Sequence, residues 1–152
     1  MKRICWLIVV ALLTACSPAP SFTDAGGQAV TLDDFTGKPL LVNYFAPWCP
    51  PCLREMPLLA ALQQQGVIGV IAINYDAATP AELTALARQH GITVPLLTPA
   101  DESRLPFPRP AMLPTSYLLS AEGELLETLV GELDEQKLAE IKARTVTPRQ
   151  HQ

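Results

Sequence analysis

The stretch Ala46-Pro47-Trp48-Cys49-Pro50-Pro51-Cys52 places two cysteines three positions apart, at the point where the hydrophobic period of the chain changes. Before it, residues 39–45 (PLLVNYF) form an apolar run of strand length, the pattern of a strand buried on both faces. After it, apolar residues recur at 53, 56, 59 and 62. That helical spacing predicts a helix over 52–65, with Pro57 as an internal kink and Gly66 as its end. A buried strand that passes through a short loop into a helix requires a sheet with helices on its faces.

The position of the cysteines has a chemical meaning. Cys49 opens the helix, where unpaired backbone N–H groups and the positive end of the helix dipole favour an anion. That anion is the Cys49 thiolate, the attacking species in disulfide exchange, with a pKa lowered below the about 8.5 of a free thiol. Cys52, one turn further in, is expected to stay protonated until a mixed disulfide forms at Cys49, and then to resolve it. Pro50 and Pro51 fit a first helical turn, where an N–H has no helical partner, and they stiffen the loop. Trp48 offers an apolar landing surface. Two metal readings compete. Structural zinc wants four ligands, and beyond Cys49 and Cys52 there are only His90, at a predicted helix end, and His151, in a polar tail. A Cu(I) site would draw on Cys49, Cys52 and Met56 or Met112.

The remaining pattern alternates strands and helices. Residues 22–32 read as a small hairpin around a glycine turn, and 33–37 as a turn or one helical turn. A second buried strand spans 67–75. Thr79-Pro80-Ala81-Glu82 combines a capping box with proline at the first helical position, which starts a helix running to His90 with Gly91 as its cap. A short strand at 94–97, a hairpin of strands 115–120 and 125–130, and an amphipathic helix over 133–143 with Leu138 and Ile141 inward complete the chain. The order β-α-β-α-β, then β-β-α, predicts an α/β fold: a mixed sheet of four or five strands flanked by helices, with an N-terminal β-hairpin.

The first residues belong to export rather than to the fold. Lys2 and Arg3 precede an apolar run over 4–13, too short to anchor across a bilayer, and Leu13-Thr14-Ala15-Cys16 follows. Small residues before a cysteine resemble the lipobox of bacterial lipoproteins. The resemblance implies a signal peptide over 1–15, acylation of Cys16 and a tether over 16–21, which keeps the domain at 22–144 close to a membrane. Ser17 after the cysteine resembles an outer-membrane address. Residues 145–152 read as a flexible tail. With Cys5 removed and Cys16 acylated, Cys49 and Cys52 are the only thiols left. Net charge moves from −4 to −6 once Lys2 and Arg3 leave, and this acidic balance argues against a nucleic-acid partner.

The segment LLVNYFAPWCPPCLREMP closely resembles the active-site segment of the TlpA-like (ResA-like) membrane-anchored disulfide reductases of the thioredoxin superfamily. The likeness runs from about Phe22 to Ala143 and implies a thioredoxin-like fold. Pro57 matches the helix-kinking proline of thioredoxins. Met112-Leu113-Pro114-Thr115 resembles the cis-proline loop that faces the cysteines, which implies a cis Pro114 and a Leu113 backbone able to pair with an extended substrate. Thioredoxin carries a buried Asp six residues before its first cysteine, where this chain has Asn43. The TlpA-like pattern instead has a Glu three residues after the second cysteine. Glu55 matches it, on the same helix face as Cys52, as a proton relay with a raised pKa. One region departs from the family. Where relatives have a helix, this chain reads Leu105-Pro106-Phe107-Pro108-Arg109-Pro110, which forbids one. Phe107 and Arg109 either border the cysteine site and select partners, or form a rigid spacer.

The function expected is that of an extracytoplasmic thiol-disulfide oxidoreductase at the periplasmic face of a bacterial membrane. It would reduce disulfides of exported proteins, apocytochrome c among them, and be re-reduced by a membrane-embedded thiol donor. It would work as a monomer, without a cofactor other than its Cys49–Cys52 disulfide and without a metal. A disulfide-donating oxidase uses the same sulfurs and differs in potential. A peroxidase of the peroxiredoxin branch would need a Pro-x-x-x-Thr-x-x-Cys pattern, which is absent around Cys49. A non-catalytic copper-binding or partner-binding module is the rival of another class.

Overall fold

The computed structural model describes residues 22–146. The expected signal peptide, the tether with Cys16, and residues 147–152 of the expected tail lie outside the described residues.

The chain order is β1 (Phe22–Asp24), β2 (Ala29–Val30), a 3-10 turn (Leu32–Phe35), β3 (Leu40–Phe45), α1 (Pro50–Gln64), β4 (Gly69–Asn74), α2 (Pro80–His90), β5 (Leu96–Pro99), a second 3-10 turn (Glu102–Arg104), β6 (Thr115–Leu119), β7 (Leu125–Val130) and α3 (Glu135–Val146). The strands form one sheet in the order β2-β1-β5-β4-β3-β6-β7. Neighbours β3, β4 and β5 are parallel, and the other pairings are antiparallel. The five strands β3 to β7 are those expected of the thioredoxin-like core. The N-terminal hairpin does not stand apart from them: β1 pairs with β5, opposing Phe22 to Pro99, and extends the sheet to seven strands.

Alternation along the central strands sorts side chains to two faces. Leu41 and Phe45 of β3 join Val70 and Ala72 of β4 and Leu96 of β5 on one face. All three helices bury residues there: Met56, Leu59 and Leu62 from α1, Leu83 from α2, and Leu138 and Ile141 from α3. Cys49 and Cys52 belong to this cluster. Leu40, Val42 and Tyr44 point to the other face, with Ile71, Ile73, Leu97 and Tyr117.

No α-helix contributes to that second cluster among the described residues. Phe22, the 3-10 turn residues Leu32 and Phe35, and the proline-rich segment close it instead, the last through Leu105 and Phe107. Phe107 is 3% exposed, stacks on Tyr117 at 4.5 Å between ring centroids and meets Tyr44 edge-on at 6.3 Å. The Tyr117 hydroxyl donates to the Pro108 carbonyl at 2.7 Å. Of the two readings left open for Phe107, bordering the cysteine site is the one that fails: its ring is core, on the sheet face away from the sulfurs. Prolines at 106, 108 and 110 keep the segment out of a helix, and one aromatic side chain does a helix's covering work.

Local chemistry explains the helix ends. At α2, Thr79 Oγ1 accepts from the Glu82 N–H while the Glu82 carboxylate accepts from the Thr79 N–H at 2.7 Å, and Pro80 occupies the first turn. Gly91 closes that helix at φ 64°, a left-handed conformation natural to glycine. Helix α3 starts two residues later than the apolar pattern predicts. Asp134 Oδ1 accepts from the Lys137 N–H and caps it, while the Leu133 N–H is committed elsewhere. It also runs into the segment read as tail, to Val146, with the Thr145 hydroxyl donating back to the Ile141 carbonyl.

Candidate active site

Strand β3 delivers the chain into the turn Ala46-Pro47-Trp48, closed by a hydrogen bond from the Cys49 N–H to the Ala46 carbonyl at 3.1 Å. Cys49 is the N-cap of α1, in an extended conformation, and its carbonyl accepts from the Leu53 N–H. Pro50 and Pro51 fill the first two helical positions and contribute no donors there. Cys49 and Cys52 are joined in a disulfide, with Cα atoms 5.3 Å apart. The two residues are not equivalent: Cys49 keeps 5% exposure at the helix end, whereas Cys52 has none. A partner sulfur can reach the pair only from the Cys49 side.

Glu55 lies one turn beyond Cys52 on α1 and is 1% exposed. Its Oε1 accepts from Asn43 Nδ2 at 2.7 Å, and its Oε2 accepts from the Leu133 N–H at 2.7 Å. Asn43 Nδ2 also donates to Ser116 Oγ at 2.9 Å, and Asn43 and Ser116 are direct cross-strand partners on β3 and β6. Burial drives the Glu55 carboxyl up to about 7 from its ordinary 4.5, against the two donated hydrogen bonds, which favour the charged form. The nearby Glu132 carboxylate adds a smaller upward push. A buried group that is half-protonated near neutrality, beside the inner cysteine, is equipped to take and return a proton.

Trp48 forms the rim. It is 61% exposed, its Nε1 donates to Asp76 Oδ2 at 2.6 Å, and its ring meets Tyr75 edge-on at 6.3 Å. The Arg109 guanidinium lies 4.0 Å over the Tyr75 ring, donates to the Tyr75 carbonyl at 2.8 Å and pairs with Glu102 at 3.4 Å. Of the two residues singled out in the proline-rich segment, Arg109 thus reaches the site, at one remove from Trp48. The Leu113–Pro114 peptide is cis, as the family resemblance implies, and half-buried Leu113 packs against the cluster that contains both cysteines.

Met56 is buried in the same apolar cluster as the cysteines, Met112 is 62% exposed, and His90 is the last residue of α2. Among the described residues, no three His, Cys, Asp or Glu side chains converge as a metal-ligand set. No helix among them is long and apolar enough to cross a membrane.

Sequence reasoning did not assign the partners of Glu55 or the rim residues Tyr75 and Asp76. A signal for the first was present. Asn43 interrupts the apolar run PLLVNYF, and Ser116 interrupts TSYLL; a polar side chain inside a doubly buried strand must find a partner.

Comparison with known proteins agrees with this site. A model of the Redoxin family matches residues 14–105. The thiol-disulfide oxidoreductase ResA of Bacillus thuringiensis (strain Al Hakam) is 30% identical over 136 residues, covering 86% of this chain and 77% of that protein. ResA of Bacillus subtilis (strain 168) is 29% identical over 125 residues, covering 78% and 69%. Among solved structures, a putative thioredoxin from Neisseria meningitidis superposes with a TM-score of 0.70 at 27% identity, over 88% of this chain and 91% of that one. A thiol-disulfide isomerase from Corynebacterium glutamicum, at 17% identity and a TM-score of 0.68 over 86% and 95% of the two chains, shares the fold. With a joined cysteine pair at the start of α1 and these relatives around it, the chain belongs to the Redoxin family, as a ResA-like thiol-disulfide oxidoreductase of the thioredoxin superfamily.

Proposed function

We propose that this oxidoreductase works in the reducing direction on the extracytoplasmic side of a bacterial membrane. The observation that carries the reading is the asymmetry along one helix: Cys49 at its open end, Cys52 without exposure, and the buried Glu55 carboxyl one turn further on. In the dithiol form, the Cys49 thiolate attacks one sulfur of a substrate disulfide. The substrate's first sulfur leaves as a thiolate and a mixed disulfide remains. Cys52 passes its proton to Glu55 and attacks the Cys49 sulfur, which re-forms the Cys49–Cys52 disulfide and expels the second substrate thiolate. The substrate leaves reduced by two electrons.

Trp48 and the Leu113–Pro114 segment supply the surface against which the substrate chain rests. Exported proteins with disulfides, including apocytochrome c before haem attachment, are the substrate class, and a membrane-embedded thiol donor restores the dithiol. Acylation of Cys16 would hold the monomeric domain at its membrane, with Ser17 favouring the outer one. The cysteine pair is the only redox group this chemistry needs.

The test is a reduction potential. The full chain, equilibrated against glutathione buffers, is expected to lie closer to the about −270 mV of a thioredoxin-type reductant than to the about −120 mV of a strong oxidant. A value near the latter would reverse the proposed direction. Stoichiometric copper on reduced protein that fails to turn over an insulin-type disulfide would replace the enzyme reading with a binding one.

A further inference from the structure

Asn43 has no exposure and lies on the interior strand β3, with its side chain on the helical face of the sheet. Its donor end is used twice, toward Glu55 Oε1 and Ser116 Oγ, while its acceptor atom Oδ1 has no partner among the described residues. A buried acceptor left empty beside a donor used twice is costly in a single static state. It is useful in a site that has two states.

During exchange Glu55 alternates between them. As a carboxylate it only accepts hydrogen bonds, and Asn43 Nδ2 and the Leu133 N–H meet that need. As a carboxylic acid it carries a proton that requires an acceptor. The Leu133 N–H cannot provide one. A half-turn of the Asn43 amide can, because it brings Oδ1 to the place Nδ2 occupied. The Ser116 hydroxyl, which accepts in the first state, can rotate to donate in the second. The amide then makes two hydrogen bonds in either state, to the same two neighbours, with every donor and acceptor reversed.

We propose that Asn43, seated on Ser116, is a positioning residue of the exchange reaction, its amide turning over to hold Glu55 first as proton acceptor and then as acid. This rests on Glu55 accepting the Cys52 proton. That proton moves from the Cys52 sulfur to the Glu55 carboxylate and back, and Asn43 and Ser116 reorient without gaining or losing one. The remaining ionisable groups around Glu55 are the two cysteines on α1 and the exposed Arg54–Glu132 ion pair, of which Glu132 favours the protonated form. β3 and β6 present only the neutral Asn43 and Ser116 to it.

The test is a carbon-13 NMR titration of the Glu55 carboxyl in the full chain with the disulfide formed, together with the side-chain amide resonances of Asn43. The wild-type carboxyl is expected to titrate near about 7, with the Asn43 amide resonances moving at the same midpoint. Asn43→Leu removes a charge-assisted bond to the carboxylate and a weaker neutral bond to the acid, so the midpoint should rise by up to about one pH unit. Asn43→Asp should raise it further and spread the titration over two steps, as for two carboxyls sharing a proton. The two replacements differ in shape and polarity, so misfolding of one leaves the other informative; should both misfold, the wild-type amide resonances still decide. In a Glu55→Gln background, a folded Asn43→Leu replacement, which adds no titrating group, should not change the pH profile of exchange further. An unmoved Glu55 midpoint in the folded variants, or Asn43 resonances indifferent to the Glu55 titration, overturns the proposal. A Glu55→Gln chain with the wild-type exchange profile removes the proton-acceptor reading beneath it, and this proposal with it.

Discussion

The Leu133 backbone N–H donates to Glu55 Oε2 at 2.7 Å, across 78 positions of sequence. This bond pins the turn between β7 and α3 over the carboxyl of α1 and closes Glu55 off from water. The closure sets both the proton affinity of the group and its effect on stability.

The stability consequence has a definite sign. The Glu55 carboxyl titrates at about 7 in the folded chain against an ordinary 4.5. Below 4.5 both folded and unfolded states hold the proton, and the contribution of burying a neutral acid is fully present. Between 4.5 and about 7 the unfolded chain has lost the proton while the folded chain keeps it, so stability falls as pH rises. Above about 7 the loss is complete, at most about 3 kcal/mol on a linkage argument. Urea unfolding across this window should show the decline in wild type and a flatter profile in Glu55→Gln. Parallel profiles would mean that the carboxyl is hydrated.

The cysteine roles are separable by trapping. Cys49→Ser should abolish turnover. Cys52→Ser should accumulate a mixed disulfide through Cys49, because nothing remains to resolve it. Mass spectrometry of the captured adduct identifies the bonded cysteine, and an adduct through Cys52 in the Cys49→Ser chain would exchange the assigned roles.

Arg109 holds Trp48 through Tyr75. Arg109→Ala removes a cation–aromatic contact that contributes on the order of 0.5–1 kcal/mol at an exposed site. The rim should loosen, with faster solvent exchange of the Trp48 indole N–H that now bonds Asp76. An indole exchange rate equal to wild type would show that the proline-rich segment and the rim are independent.

Phe107 should behave as core and nothing else. Phe107→Ala is expected to cost about 3–5 kcal/mol, the range for truncating a buried aromatic, visible as a lowered urea midpoint. The Glu55 titration should stay where it is, since the ring lies across the sheet from the carboxyl.

The parts of this molecule legible in its sequence are those governed by short-range rules. The apolar runs of β3 and β4 show their two-sided burial directly, and Thr79, Pro80, Glu82 and Gly91 mark α2 because capping involves residues only a few positions apart. The pairing of Cys49 with Cys52 was readable for the same reason, since both sit at one helix start, whereas Glu55 was singled out by the family resemblance, with spacing placing it on that helix face. What stayed hidden depends on strand neighbours. That Asn43 opposes Ser116, and that β1 continues the sheet beside β5, are facts of register between segments 73 or more positions apart, which no local pattern encodes. The proline-rich segment was readable as non-helical, but which face it covers was not. Phe107 and Arg109 sit two positions apart and serve opposite sides, one plugging the core and the other reaching the rim.

Among the described residues, the three α-helices and the chemistry they carry lie on one side of the sheet, and the other side is closed by a strap of chain without α-helical hydrogen bonding. The two sides therefore answer to different constraints. Exchange depends on a few donor–acceptor distances along α1, whereas the strap fills volume over Tyr44 and Tyr117 and accepts the Tyr117 hydroxyl. A change in the strap is therefore felt first as packing over Tyr44 and Tyr117, across the sheet from the sulfurs.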